Sequence, residues 1–575
     1  MANTIYLTGV PGPAGVLDVP SFGQFPIDVG ANAVNIHAAR GLGYLLRAGV
    51  IDPNNPTLIQ GPPYPAGFWD VPTGFEVGFA GGRSTIYPAA SLGHSSKPSD
   101  TPANTYVPGK VININYGVRL FTGIEPSPQG AGGLGAIVLP DPRGDLDSYI
   151  DLAWDGAILD ILRGQPLALF NTYSVVARMT AAGILYDQRH KELRLRDLGW
   201  QLAAGELHGL RYGGTGGTDG DAAVAGQMKP YGVGVVTNAT PVKIGATLEC
   251  YQFSCSSIQS VDAVRDGGVA LTFDANYASY AALAAATVPA GRYATCLAEG
   301  FLRLGRTVVY SLTVDFHGDA DTVNGRGYPS TRAAIARRVA TGRGTIRLSE
   351  SQIDSVAFNA FDAEYTAACG WYWRDAVSKA DALNEIMAGC LGWWVMRLSG
   401  VLAIGALGEP TGTPALVLNF PEDFAGEPKM MATYMAPRRA SSVGWARNYT
   451  PQDPSQLAAS VDQAQALIWA AQQRLALASD DFQANVWPTS AVVATAGNFA
   501  LESAALAEAR RQQSVMGVRR ERWTVPVPCD PFSDLLGRVV QINNYNRFGW
   551  GMARKFICVG MSFASGRTVN LELWG

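Results

Sequence analysis

Charge is what this sequence has least of. Only 16% of its 575 residues are Asp, Glu, Lys or Arg, and 44 basic residues face 48 acidic ones for a formal net charge of −4. Proteins that grip nucleic acid neutralise phosphates with clustered Lys and Arg, so tight nucleic-acid binding is excluded and any DNA contact is expected to be loose and transient. Histidine is scarce too: His37, His94, His190, His208 and His317 never form HExxH, and none sits beside a GxSxG nucleophile turn, which removes the usual metalloprotease and serine-hydrolase signatures. The seven cysteines, at 250, 255, 296, 369, 390, 529 and 558, contain no CxxC pair and are odd in number. Reduced, buried thiols are expected. The C-x4-C spacing of Cys250 and Cys255 suits half an iron–sulfur cluster, but the other thiolates it would need are scattered, so no cofactor is expected.

Long apolar runs are also missing. The longest, Gly389 to Gly408, is broken by Arg397 and by Ser399-Gly400; a charge mid-span is costly in a bilayer, and the segment reads as a buried helix end, then a hairpin of Trp393-Trp-Val-Met-Arg and Val401-Leu-Ala-Ile turning at Ser399-Gly400. The start, Met1-Ala-Asn-Thr-Ile-Tyr, has no basic segment followed by an apolar core. Synthesis and assembly in a cytosol are therefore expected, without a secretory signal.

What is abundant is Gly, with 65 residues, and Pro, with 34, alongside 47% hydrophobic residues. That combination points to many turns and strands and to surface buried by neighbours, over several domains at this length. Residues 1–97 are Gly/Pro-rich, with one helical candidate at His37 to Ala48, and read as an extension that docks on a partner or neighbouring subunit. Between 98 and 205 the pattern is strand-like: Leu193 and Leu195 oppose Glu192, Arg194 and Arg196, the period of a sheet with one wet face. A further β domain is expected at 206–330, with a strand through Val308, Tyr310, Leu312, Val314 and Phe316, and an α+β domain at 331–450 with helices near Ser330 and Lys379. In 451–517, Leu457, Val461, Ala464, Ile468, Ala471 and Leu475 repeat at four and three, a heptad seam on a predicted helix. A helix packed on its own domain suits this better than an intersubunit coiled coil, because Ala fills two seam positions. A second helix near Leu501 to Val515 stops at Gly517, and residues 518–575 read as short strands: Trp523-Thr-Val-Pro-Val-Pro, Leu536-Gly-Arg-Val-Val-Gln-Ile, Lys555-Phe-Ile-Cys-Val-Gly and Val569-Asn-Leu-Glu-Leu-Trp-Gly575.

Few stretches invite chemistry. Tyr212-Gly-Gly-Thr-Gly-Gly-Thr-Asp-Gly-Asp looks like a phosphate cradle but lacks the lysine of GxxxxGK[ST] and carries Asp219 and Asp221, which repel phosphate. Gly213, Gly214, Gly216 and Gly217 are read as a flexible connector. Asp319-Ala-Asp-Thr-Val-Asn-Gly bunches oxygen ligands without the calcium-loop offsets and reads as a polar turn. The adjacent acids Asp145 with Asp147, and Asp480 with Asp481, read as turn formers rather than a glycosidase pair. Arg519-Arg-Glu-Arg522 reads as a solvated helix exit rather than a contact for DNA or an acidic partner.

Several stretches, in order, resemble bacteriophage tail hub proteins of long-tailed phages: Ser99-Asp-Thr-Pro-Ala-Asn-Thr-Tyr, Gly135-Ala-Ile-Val-Leu-Pro-Asp-Pro-Arg-Gly-Asp-Leu-Asp, Trp154-Asp-Gly with Ile161-Leu-Arg-Gly, Arg194-Leu-Arg-Asp-Leu, the glycine loop, Lys229-Pro with Asn238-Ala-Thr-Pro, and the terminal Leu-Glu-Leu-Trp-Gly. The likeness spans roughly 98 to 575. It implies an α+β, mostly β multidomain hub with two tube-like β-barrel domains, a central α+β region and a helical segment before the C-terminal strands. It also implies a structural, non-enzymatic virion protein at the tail tip, forming a homotrimer whose paired tube domains match a six-fold tail tube to three-fold tip proteins. The implied partners are a distal tail or tail tube protein above, a central fibre or receptor-binding tip protein below, and a tape measure protein or DNA passing through the lumen. Asp145, Asp147, Trp154, Gly156, Arg163 and Asp197 are expected to shape the first tube-like domain: acids as turn formers, Trp154 as packing anchor, Gly156 for a positive φ, Arg163 and Asp197 as ion partners. Val569, Leu571 and Leu573 are expected to build the C-terminal strands. The rival readings are a receptor- or carbohydrate-binding tip protein, suggested by 13 Trp and 22 Tyr, and a tail-associated peptidoglycan hydrolase.

Overall fold

The computed structural model describes residues 43–51, 84–86, 94–100, 103–111, 113–132, 135–165, 168–320, 327–528, 535–564 and 568–575. The expectations for residues 1–42, 52–83 and 87–93, for 321–325 of the polar turn and for Cys529 lie outside them. The class is mostly β with a central α+β region, as the alternating patterns require. Its largest element is a 14-stranded sheet whose main path runs through strands Ser84–Ile86, Gly43–Ile51, Ala153–Gly164, Ser174–Tyr186, His190–Arg196, Ala136–Pro140, Asn113–Arg119, Ala553–Ala564, Thr568–Trp574, Arg520–Pro528 and Lys429–Met435. The first and last thirds of the chain thus share one sheet. The path is open at both ends, and no closed barrel forms among the described residues.

One core runs beneath this sheet and draws Ile114, Trp154 and Leu193 from the first part, Trp393 and Leu418 from the middle, and Trp523, Phe556 and Leu573 from the end. A second core gathers the helices Arg332–Thr341, Ser355–Glu364 and Lys379–Ala388 around Tyr231, Trp371 and Trp394. The helices start where hydroxyl and carboxyl side chains can hold free N–H groups: Thr331 accepts from Ala334, Asp354 from Ala357 and Ser378 from Asp381, as N-caps do. The expected hairpin is present, Gly392–Met396 against Leu402–Ala406, with Gly400 at φ +81° in its turn, a conformation that suits glycine. Two five-stranded sheets fill the region from 231 to 373.

Three expectations are corrected. Residues 43–48 are strand rather than helix: Gly43–Ile51 pairs antiparallel with Ala153–Gly164 from Gly43 opposite Gly164 onward, and tertiary pairing overrides a weak local preference. The central strand begins at Leu312, not Val308, because the Asp266 carboxylate accepts the N–H groups of Val309 and Tyr310 at 3.1 and 2.8 Å and bends them into a turn. The heptad seam does not lie on one helix. Leu457 follows a short 3-10 turn, only Gln463–Ala470 is helical, and Leu475 lies in strand Arg474–Ser479. Helix Asp481–Val486 and strand Val492–Phe499 come next, before helix Glu502–Met516. Alternation of buried Ala476 with exposed Leu475 and Leu477 is a strand period, which a four-three count of leucines overlooks.

Candidate assembly interface

The first and last β segments meet along a seam that carries a buried ion cluster. Strand Asn113–Arg119 pairs with Ala553–Ala564, placing Arg119 opposite Gly560, Val118 opposite Met561, Gly117 opposite Ser562 and Tyr116 opposite Phe563. The rings of Tyr116 and Phe563 stack at 4.4 Å and 9°. Close approach explains two glycines: a Cβ on Gly117 would stand 3.0 Å from the Met561 carbonyl, and one on Gly560 would stand 2.7 Å from the Glu572 carboxylate. That carboxylate is the centre of the seam. Glu572 Oε1 meets Arg119 Nη2 at 3.0 Å, its Oε2 accepts from Arg522 Nη2, and Arg522 Nη1 donates to the Gly123 carbonyl at 2.6 Å. Arg522 and Glu572 are both buried. Removing one member of such a buried group leaves an uncompensated charge, so the cluster fixes which strands can be neighbours. The penultimate residue closes the arrangement: Trp574 Nε1 donates to the Ile124 carbonyl at 3.0 Å, and Arg520 lies 4.8 Å over its ring.

The expected solvated exit at 519–522 is therefore corrected. Arg520, Glu521 and Arg522 begin strand Arg520–Pro528 and are buried; their charges face partners in the protein rather than water. Val569, Leu571 and Leu573 lie on one face of Thr568–Trp574, fully buried in the shared core. Arg119, Arg522 and Glu572 are site residues that the sequence reading passed over. The signal was available, since a Glu within the apolar Val-Asn-Leu-Glu-Leu-Trp must find a partner if the strand is buried.

In the first β segment, the residues from Asp141 to Asp147 fold around two lysines. Lys110 Nζ reaches Asp141 at 3.1 Å and Asp145 at 2.8 Å, while Lys191 Nζ reaches Asp141 at 3.2 Å and Asp147 at 2.7 Å. Asp141, missed from sequence, is the shared and most buried member. Burial alone would raise its carboxyl, but bonds from Lys110, the Leu146 N–H and Lys191 outweigh that and hold it below the ordinary carboxylate value. Trp154 is buried, with Nε1 donating to the Tyr149 carbonyl at 2.6 Å. Gly156 has φ +71°, and a Cβ there would face the Trp200 ring at 3.3 Å. Arg163 and Asp197 are not brought together. Arg163 stands opposite Ser174 and Arg196 opposite Thr180, positions that lie about 20 Å apart along one strand at ~3.3 Å per residue. Asp197 instead accepts the Gly199 N–H at 3.0 Å.

The described parts of the other motifs are engaged within the fold. The glycine run closes on itself instead of spanning as an open connector: Gly214 N donates to Asp219 O at 3.0 Å, Gly216 N to Gly220 O at 2.7 Å, and Lys229 Nζ holds Asp219 at 3.3 Å. Gly214, Gly216 and Gly217 have φ of +75°, +94° and +63°; Gly213 faces the Asp219 side chain. Asp319 is buried and taken by Tyr231 Oη at 2.7 Å, Arg338 at 3.1 Å and Arg343 at 2.9 Å. Cys250 and Cys255 pack in different cores, and burial pushes the Cys255 thiol up to about 12, which keeps it protonated near neutrality. Among the described residues no group of three or more His, Cys, Asp or Glu could hold a metal ion.

No family model and no curated protein matches the chain. Comparison with solved structures finds a tail protein from Neisseria meningitidis MC58, with 9% identity, 81% of this chain and 92% of that chain covered, and a TM-score of 0.35. It also finds the 43 kDa tail protein of prophage MuSo2 from Shewanella oneidensis, at 9% identity with 82% and 96% covered and a TM-score of 0.33. A chain of the native gene transfer agent virion aligns at 11% identity over 61% of this chain and 84% of its own, with a TM-score of 0.39.

Proposed function

We propose that the chain is a structural baseplate hub or tail tip protein of a phage, not an enzyme. In this reading it forms a homotrimeric ring that adapts a six-fold tail tube to three-fold tip proteins and surrounds the DNA exit channel. One observation carries it: a single chain sets two β segments, built from 113–196 and 520–574, side by side in one continuous sheet. Three copies then offer six such segments. The sheet path is open at both ends, and open edges favour pairing with neighbours over an isolated monomer. A tail tube protein would meet one rim and a fibre or receptor-binding protein the other, with the assembled hub residing in the virion. The formal charge of −4 suits a wall along which a polyanion slides without being neutralised. Electron microscopy of isolated tails, with the chain labelled, tests this: three copies around the axis are expected, and six copies in a plain ring, or a monomer, would overturn it.

A second reading, binding of host surface carbohydrate, is favoured by the hairpin tip at 544–552. There Phe548 is 54% exposed at φ +56° with its ring 4.7 Å from Trp523. Loss of polysaccharide binding in Phe548→Ala, with the fold intact, would support it.

A further inference from the structure

The small sheet between 440 and 499 is finished on one face only. Its order is Arg474–Ser479, Ala440–Trp445, Val492–Phe499. Directly paired residues share a face, so Val443, Ala476 and Phe499 point to helix Glu502–Met516 and meet Ala505 and Ala509 in a small core. The opposite face carries Leu475 and Leu477 on one edge, Ser442 and Gly444 in the middle, and Val492 and Ala494 on the far strand. None of these is charged, and Leu475, Leu477 and Val492 remain 52%, 55% and 48% exposed.

The edge strand itself has no bulge, Pro or Lys, and its one charge, Arg474, stands at its end. Sheet edges are normally blunted by bulges, Pro or Lys. The large sheet follows that rule at Lys429–Met435, which starts on a lysine and breaks register twice against Arg520–Pro528. Arg474–Ser479 instead keeps an unbroken six-residue register with Ala440–Trp445, so its outer backbone groups form a straight row.

We propose that this strand pairs antiparallel with the same strand of a second copy of the chain, around a two-fold axis through Leu477. The strand is complementary to itself in charge. Reversed against its own copy with Leu477 opposite Leu477, the sequence Arg474-Leu-Ala-Leu-Ala-Ser-Asp480 sets Arg474 opposite Asp480 at both ends, Leu475 opposite Ser479 and Ala476 opposite Ala478. Arg474 and Asp480 fall on one face by the two-residue period, and Asp480 is still extended, at φ −136° and ψ 95°. Two three-stranded sheets become one of six strands, and the two pairs of leucines form a single apolar strip. An isologous contact of this kind doubles whatever each copy already belongs to, and it does not depend on the ring proposed above.

The test is the native mass of the purified full chain, with three variants, at exposed Arg474 and Leu477 and at half-buried Asp480, which caps helix Asp481–Val486. Six copies are expected, two rings joined by their small sheets. Two copies would support the strand pairing and overturn the ring. Three would support the ring and overturn the pairing, leaving the open face to a different chain, and one would overturn both. Arg474→Asp opposes like charges and should halve the wild-type mass, and adding Asp480→Arg should restore it. Leu477→Cys should give a covalent dimer on mild oxidation. Failure of either the charge-swap rescue or the crosslink, in variants that melt like the parent, contradicts the pairing.

Discussion

The seam of the large sheet and the small sheet at 440–499 are built from the same kind of strand yet treat their margins in opposite ways. At the seam, Arg119, Arg522 and Glu572 exchange charge in the interior, glycines let backbones close in, and Tyr116 stacks on Phe563. The small sheet sets Val443, Ala476 and Phe499 against one helix and leaves its leucines facing outward. The lesson is that polar groups are placed where strand neighbours must be unique, and omitted where a surface waits for a neighbour. Buried charge specifies pairing at a cost in stability, whereas the flat edge of the small sheet carries only Arg474 and the adjoining Asp480 to set a register.

Breaking the seam should have the largest effect. Glu572→Gln leaves two arginines facing a neutral amide, and a loss of about 3 kcal/mol is expected from removing one member of a buried ion cluster, read as a drop in the denaturant midpoint. Next comes packing. Leu571→Ala removes a fully buried side chain and should cost about 3 kcal/mol, against less than ~0.5 kcal/mol for Leu475→Ala on the open face. Comparable losses in the two would erase the contrast.

A smaller effect is expected at Asp141. Its carboxyl is held below the ordinary 3.8, so its contribution is present above that value and disappears as pH falls through the lower folded value. Asp141→Asn should therefore lose about 2 kcal/mol at neutral pH, the scale of hydrogen bonds to a charged group, and converge with the parent in acid. The smallest effect has the opposite sign. Burial, with Arg347 adding to it, pushes Lys379 down to about 7 from 10.5, and its Nζ reaches the Ala340 carbonyl at 3.3 Å. The unfolded chain binds the extra proton between those two values, so stability attributable to this group rises with pH from 7 to 10.5, and the penalty is complete below 7. Lys379→Met should stabilise by about 1 kcal/mol at pH 7, a gain that fades toward pH 10.5 in thermal melts.

Much of the fold was legible in local pattern. The hairpin at Ser399-Gly400, the helices at 332 and 379, the helix ending at Gly517 and the buried Val569, Leu571 and Leu573 follow from period, caps and turn residues acting within a few positions. What was not legible came from distant pairing. Gly43–Ile51 becomes strand because Ala153–Gly164 receives it, and Val308 to Tyr310 turn because Asp266 lies beneath them. The seam depends on residues 399 and 450 positions apart, joined in the bonds from Arg522 to Gly123 and from Trp574 to Ile124. Among the expected first-segment residues, Trp154 is buried and Gly156 has φ +71°, whereas strand register sets Arg163 and Asp197 apart.

The central claim is that the first and last β segments form one unit held by the Glu572 cluster. Hydrogen exchange of the full chain measures it directly. Amides of 116–119 and of 557–564 with 568–574 should open together at one free energy, and Glu572→Gln should accelerate both sets by the same factor. Independent opening of the two strand sets, or acceleration of the C-terminal set alone, would contradict the account.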